Sequence, residues 1–503
     1  MKLNRINKFI GVAALLFAVE ACDLTDIDPA NRIPEGVAFS DAARIQAAVL
    51  GVYESAQRGF YLGAVQRGYP FGAASTEQND MRGEDMYNDQ LFYEITYIGN
   101  WTTTTANNNG MWISLYRVIN RCNIVLEGIQ RAETAGVLTP AQANAFRGEM
   151  LFLRAMSHFE LVINYSRPYS DDPSDLGIPY RDFAVDDAGK VPAGIEVQRG
   201  TIQQTYTRIL QDLDNAEGFL TNTGTPYRAR AGAAVALKTR VKLHMLDWAG
   251  VITEYDKIDN LYALTASPAG PFTSGTSTEA IFSLQNSNVS NAGVNGALVS
   301  MYGSPTLGGR GLVKISPVIW IEPFWLASDS RRTLLTTQES TGVYSYKYRT
   351  FGVYDDPTPL IRHAEVVLNA AEAYARTNDF ATAITLLNSV RNRAVGAALE
   401  YDLADLGGNQ AGVLQGIWNE RRIEFLGEGK RWYDVHRLSG EGLMAGIPAK
   451  AQTRSVSLLT QYTPGGFTLA HALPYTEDNF IWPIPLSEVL VNPTLADQQN
   501  PGY

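Results

Sequence analysis

The sequence predicts a mainly α fold: a tetratricopeptide-like helical scaffold carrying loop-rich insertions and a few short strands. Three observations predict it. Apolar residues recur at helical spacing in blocks covering about 40–58, 111–249 and 361–438. Capping boxes open two helices of the second block. In the third block, Ala371, Tyr374, Ala383 and Leu387 stand at the spacing of a tetratricopeptide pair, where small residues let two helices approach.

The chain begins with a basic region, Lys2, Arg5 and Lys8, followed by an apolar run over residues 9–19. This reads as a signal peptide over 1–21. Cys22, after Val19-Glu20-Ala21, resembles the lipidated cysteine of a bacterial lipoprotein, with Glu20 a departure from the strict pattern. Acyl chains on Cys22 would hold a soluble domain at a membrane without any spanning helix. Residues 22–39 read as an acidic tether and extended lead-in, with Asp23, Asp26 and Asp28 ahead of Pro29. Residues 40–503 are expected to form a single domain.

Ser40 is expected to cap a helix whose apolar stripe is Ile45, Ala48 or Val49, Val52 and Ala56. Periodicity then lapses over about 59–110, which fills with Gly, Asn, Thr and aromatic residues. It returns at Trp112, Leu115, Ile119, Cys122 and Leu126, placing Cys122 on the apolar face as a buried thiol. Thr139-Pro140-Ala141-Gln142 opens a long helix running to about Tyr165, and Thr201-Ile202-Gln203-Gln204 opens another. His158 and His244 fall inside helices, as packed rather than ligating histidines. A second loop-rich stretch covers about 250–358, with strand-like pieces at 281–284 and 344–348. Helix resumes at Ile361, and two helices over 364–376 and 380–393 make the repeat pair.

The densest stretch is NERRIEFLGEGKRWYDVHRL, residues 419–438. Gly427 and Gly429 read as a helix stop, with a second short helix opening on Lys430 and Arg431. Arginines and glutamates interleaved between Trp418 and Trp432 read as an ion-pair lattice fastening two helices, the charges pairing Glu420 with Arg421 or Arg422 and Glu424 one turn on. The stretch resembles the C-terminal signature of the SusD/RagB family of outer-membrane nutrient-binding lipoproteins. The ending, IPLSEVLVNPTLADQQNPGY, which its prolines read as extended, resembles that family's ending too. Membership would imply a SusD-like fold and display on the outer face of the outer membrane, anchored through Cys22. It would also imply partnership with a SusC-like TonB-dependent transporter, to which captured oligosaccharides, or sometimes peptides, are delivered.

Bulk properties narrow the function. A net charge of −11 without any basic block argues against nucleic acid. Past residue 21 no apolar run has the length of a membrane helix. Two cysteines exclude a disulfide framework and, with five histidines, speak against a Cys/His metal site. Neither a cofactor nor a metal is predicted. No Gly-x-Ser-x-Gly elbow or His-Glu-x-x-His motif is present, and Gly427-Glu428-Gly429-Lys430 lacks the residues a phosphate loop needs. Glu84/Asp85 and Asp171/Asp172 are the acid pairs a glycoside hydrolase could use, although a solvated loop explains them more simply. Asp171, Asp172 and Asp175 could hold calcium only outside any EF-hand spacing.

The ligand is expected on aromatic loops, where rings stack on sugar faces and amides, acids or guanidiniums reach hydroxyls. The expected residues are Arg82, Asp85, Tyr87, Tyr97, Asn100 and Trp101 in the first loop region, and Tyr302, Trp320 and Trp325 in the second. Family resemblance points to the same two regions. An enzyme and a protein-binding tetratricopeptide adaptor remain as competing readings.

Overall fold

A computed structural model describes residues 35–59 and 67–503. The expected signal peptide, Cys22 and the tether as far as residue 34 lie outside the described residues, as do residues 60–66 of the first loop region.

The frame is a stack of antiparallel helices. In chain order these are α1 (Ala42–Arg58), α2 (Ala73–Met81), α3 (Ala106–Thr134), α4 (Pro140–Tyr165), α5 (Ile202–Phe219), α6 (Ala231–His244), α7 (Trp248–Asp256), α8 (His363–Arg376), α9 (Phe380–Val395), α10 (Gln410–Glu424) and α11 (Arg431–Gly440). Helix α3 packs on α1 and α4, α4 on α5, α5 on α6, and α6 on both α7 and α8. The long insertion between α7 and α8 thus interrupts the stack in sequence but not in space. Both capping boxes form as expected at Thr139 and Thr201. The first cap does not. Asp41, one residue later than Ser40, has the extended backbone a cap needs and accepts from Arg44 N at 2.9 Å. Ser40 Oγ instead donates to the Val37 carbonyl.

The repeat pair is α8 and α9, and α10 joins them. Ala364, Leu368, Ala371 and Ala375 meet Ala383, Leu387 and Val390, with Val413, Leu414 and Ile417 closing a core of their own. Small side chains on α8 set how closely its neighbours approach. Cys122 is fully buried on α3, as its place on the apolar stripe requires.

The strands of the two loop regions and their edges are β1 (Met86–Asn88), β2 (Ala280–Leu284), β3 (Val313–Ile315), β4 (Thr336–Glu339), β5 (Gly342–Ser345) and β6 (Thr358–Arg362). An antiparallel sheet of order β1-β3-β5-β4 pairs Met86 with Ile315 and Thr336 with Ser345. It joins the two loop regions into one layer. Strands β2 and β6 pair at the base of the insertion, Ala280 opposite Arg362 and Leu284 opposite Thr358.

Further local expectations change. The described end of the lead-in, expected to be extended, is a short helix at Glu35–Ala38. Helix does not resume at Ile361, because 358–362 is a strand bonded to β2. The strand expected over 344–348 is Gly342–Ser345. The C-terminal stretch, expected to be extended, contains short helices at Leu486–Val489 and Pro493–Asp497. Helix α2 lies inside a region read as loop. Its sequence, AASTEQNDM, has no apolar stripe because every residue of it is buried, so no face needed to be polar for water's sake.

The charged stretch does form a lattice, though with different partners. Glu424 accepts from Arg362 at 2.6 Å, from Arg331 at 2.9 Å and from Arg393. Glu428 holds Lys347 at 2.6 Å and Arg362 at 2.9 Å, and Glu420 holds Arg331 at 2.5 Å. Arg421 bonds Asp434 rather than Glu420, and Arg422 bonds Asp85. Residues one or two apart on a helix point to different faces, so neighbours in sequence find partners on different elements. Burial alone would raise the Glu424 carboxyl, but Arg393, Arg362, Arg331 and Lys347 overcome it and hold it far below the usual range. Burial likewise opposes, and Arg240 and Lys430 outweigh it, to hold Glu365 at about 2.

A carboxylate whose folded pKa is depressed stabilises the fold above its unfolded pKa, and that stability is lost as pH falls toward the folded value. Circular dichroism is therefore expected to show stability intact above the free-glutamate pKa of about 4.3. Unfolding is expected on the acid side of it, progressing toward pH 2. Glu424→Gln leaves buried guanidiniums uncompensated and is expected to cost about 3–5 kcal/mol in urea unfolding.

Candidate functional site

Most of the residues expected to touch ligand turn inward. The Arg82 guanidinium lies between the Trp432 and Trp482 rings, 3.9 and 4.2 Å from their centroids, and donates to Asn79 and Asn164. Asp85 is clasped by Arg422 at 2.6 Å. The Tyr87 hydroxyl accepts from Val456 N at 3.0 Å, and that of Tyr97 donates to the Ala451 carbonyl at 2.6 Å. Trp101, 3% exposed, sets its ring edge against Trp482 and donates to the Ile481 carbonyl. Tyr302 donates to Asp80 at 2.7 Å, and Trp325 is buried against Trp320 and Arg332. Asn100 is exposed and Trp320 half-buried under Arg332. The structure therefore does not gather the nine into one open site. Rings, amides and guanidiniums are what a sugar site uses, and they are also what a buried polar core around α2 consumes.

The acid pair Glu84/Asp85 is not a solvated loop. Both carboxyls are buried and bonded to Arg431 and Arg422 at 2.6 Å. Burial would raise Glu84, but Arg431 and Arg422 hold it at about 2. Asp171 accepts from the Tyr475 hydroxyl and Asp172 from Ser174. No group of three or more His, Cys, Asp or Glu among the described residues is arranged to hold a metal ion.

What the two loop regions do present is a ridge and a cleft. The ridge is the short turn Leu91–Tyr93, with Leu91 70% exposed. The half-buried Phe92 ring is flanked by the Arg67 and Arg310 guanidiniums, 4.7 and 5.4 Å from its centroid. Arg310 also donates to the Asn295 amide oxygen. Segment 67–73 is seated against 293–297, with Ala73 N donating to the Gly296 carbonyl at 3.2 Å. Only glycine fits at 68: its φ is +73°, and a Cβ there would stand 2.6 Å from Ala73 N.

The cleft, about 530 Å³, lies between α1 and the segments 225–228 and 284–290. Gln57 fixes its wall, donating at 2.7 Å to both the Gln285 carbonyl and the Asn286 side chain and at 2.8 Å to the Ser290 carbonyl. Tyr53, Tyr227, Thr225, Glu54 and Arg228 add two rings, a hydroxyl, a carboxylate and a guanidinium to the lining, beside Leu50 and Leu284. Asn291 links this segment to the next loop by donating to the Val353 carbonyl. There Asp356 accepts from the backbone of Arg349 and Thr350 at 2.9 and 2.8 Å, in a loop that keeps Tyr354 at φ +64°. A non-glycine residue held in that region stores strain that the surroundings must enforce.

Below the loops, the Lys450 ammonium is fully buried and donates to the Tyr97 carbonyl at 2.8 Å and to that of Met81. Burial pushes it down to about 7. Phe92, Arg67, Arg310, Asn295, Gln57, Tyr227 and Tyr354 were not singled out by sequence reading. The one signal was the apolar triplet Leu91-Phe92-Tyr93 after the polar run Asn88-Asp89-Gln90, and nothing in it distinguished an exposed ring from a buried one.

A stacked helical frame presenting one loop-built face of rings, amides and guanidiniums defines the class of binding scaffolds. Comparison with known proteins makes this specific. Residues 328–503 match the family described as the SusD family, and residues 42–243 match one described as starch-binding and associating with the outer membrane. SusD-like protein P2 of Formosa agariphila is 26% identical over 84% of this chain and 89% of its own length. SusD-like protein P25 of the same organism is 23% identical over 99% of this chain and all of its own. A SusD superfamily crystal structure from Bacteroides fragilis superposes with a TM-score of 0.76 at 26% identity, covering 91% of this chain and 99% of that one. A SusD-like carbohydrate binding protein from Bacteroides vulgatus shares the fold, with a TM-score of 0.74 at 20% identity over 92% of this chain and 98% of that one. The chain belongs to the SusD-like family, and its mainly helical architecture is that family's fold.

Two outcomes follow from the buried groups. Trp101→Ala is expected to destabilise by about 3–5 kcal/mol, read by denaturant unfolding, as a core cavity does. Between the folded Lys450 value of about 7 and the ordinary lysine value of about 10.4, the unfolded chain binds the extra proton. Stability from this group should therefore rise with pH across that window, and Lys450→Met should flatten the rise in melting temperature.

Proposed function

We propose that this protein is a cell-surface binding lipoprotein that captures oligosaccharides on its loop face and hands them to a SusC-like TonB-dependent transporter. The observation that carries the reading is the Phe92 ring held between Arg67 and Arg310 beside Asn295. The amide- and hydroxyl-lined cleft draws on the same 284–311 stretch. A ring face accepts the C–H surface of a pyranose, while guanidinium and amide donors satisfy its hydroxyls. Kinship supports this: the N-terminal half matches a family described as starch-binding, and the Bacteroides vulgatus protein of the same fold is a SusD-like carbohydrate binding protein. The same family description names association with the outer membrane. No described helix is long and apolar enough to cross a membrane, so attachment would fall to lipid on Cys22.

Arg67 and Arg310 would also suit a peptide carboxylate, which keeps a peptide ligand as the second reading. Hydrolysis is disfavoured by the arginine cage around Glu84 and Asp85.

Calorimetry against a panel of oligosaccharides and peptides is expected to find a glycan whose affinity drops at least tenfold in Phe92→Ala, with the melting temperature unchanged. Unchanged affinity would remove the ridge from the site, and binding of peptides alone would replace the glycan reading. The hand-off predicts co-purification with a TonB-dependent barrel protein and loss of glycan uptake when this gene is deleted.

A further inference from the structure

The ridge Leu91–Tyr93 rests on a buried acid, Glu77, in the middle of α2. Neither carboxyl oxygen of Glu77 has a hydrogen-bond partner, nor has the Tyr93 hydroxyl that faces it. Its neighbours on the helix are engaged. Thr76 donates to the Gly72 carbonyl at 3.1 Å, and Gln78 donates to the Tyr69 hydroxyl at 3.1 Å and accepts from Thr96. One turn on, Asp80 accepts from the Tyr302 hydroxyl at 2.7 Å and from Gly429 N at 3.1 Å.

A buried carboxylate without donors is far costlier than a buried neutral acid. Two acids one helical turn apart also resist ionising together. Asp80 has two donors and Glu77 none, so the charge of the pair belongs on Asp80 and the proton on Glu77. Burial pushes Glu77 well above the usual carboxylate range; the Tyr93 hydroxyl, Arg310 and Arg67 oppose the shift, and Asp80 adds to it. Tyr302 also faces it. Burial lifts Asp80 only to about 7, because the Tyr302 and Gly429 bonds offset it. The placement of Arg310 agrees with a neutral Glu77. Its guanidinium rests on neutral partners: the Phe92 ring, the Asn295 amide and the Met301 sulfur at 3.9 Å. An ionised carboxylate would hold it more strongly than any of these.

We propose that Glu77 is a positioning residue for the ridge and acts as the neutral acid: once ionised, it draws the Arg310 guanidinium off the Phe92 ring, and ligand capture is lost. This role rests on the reading of the ridge as the ligand site. A loop face controlled in this way holds its ligand at neutral pH and releases it as the pH rises.

The test replaces Phe92 by 4-fluorophenylalanine and follows its fluorine resonance, without ligand, from about pH 5 to about pH 10, between the free carboxylate and free tyrosine values. The resonance is expected to shift on the alkaline side of the Asp80 value of about 7. Glu77→Gln, which keeps the shape and stays neutral, is expected to abolish that shift. Tyr93→Phe removes a hydroxyl that favours the ionised acid and is expected to move the shift to higher pH. Affinity for the glycan found by calorimetry should fall at least tenfold across the same transition in the parent and hold in Glu77→Gln. A resonance that stays put in the parent overturns the role given to Glu77. So does one that shifts equally in Glu77→Gln, or, should that variant not fold, one left unmoved by Tyr93→Phe. A resonance that titrates through Glu77 while affinity holds would instead overturn the ridge as the ligand site.

Discussion

Buried charge has to be matched, and that requirement joins the two parts of this molecule. Helix α10 and the turn after it carry Glu420, Glu424 and Glu428 into the interior, where each needs a cation within reach. The cations come from the insertion: Arg331, Lys347 and Arg362, the last at the end of β6 where the chain turns into α8. Arg393 of α9 closes the network by bridging Glu279 and Glu424. Taking any one of these away leaves its partners charged in a low-dielectric interior, so the insertion is fixed to the frame by necessity rather than by area alone.

The turn that carries this network also touches the base of the loop face. Gly427 and Gly429 adopt φ of +72° and +70°, and a Cβ on Gly429 would lie 3.0 Å from Thr76 Cα. The backbone of Gly429 donates to Asp80, whose other oxygen takes the Tyr302 hydroxyl. Helix α2 is thereby pressed against the charged turn on one side and carries the 67–73 segment on the other. A face built of loops acquires rigidity from below, which is what preorganised recognition requires.

Legibility followed the kind of signal each element leaves. Helices α4 and α5 were readable to their first residues, since a capping box is local chemistry between residues three apart. The α8–α9 pair was readable because small residues at fixed spacing serve one purpose. Helix α2 was invisible: periodicity reports a boundary between water and core, and a helix buried all round has no such boundary. The same blindness affected the candidate site. Arg82, Trp101 and Tyr302 carry the chemistry of recognition yet spend it on Asn79, Ile481 and Asp80, whereas Phe92, which no sequence pattern singled out, stands on the ridge.

By itself the sequence determined the helical class, the caps, the repeat pair, the presence of an ion-pair lattice and, through the ordered signature at 419–438 and the C-terminus, the family. These depend on residue types at fixed local spacing. Tertiary structure alone decided who pairs with whom in the lattice and which rings face water. Both depend on contacts between residues tens to hundreds of positions apart, such as Asp85 with Arg422, and no local pattern encodes a distance of that kind.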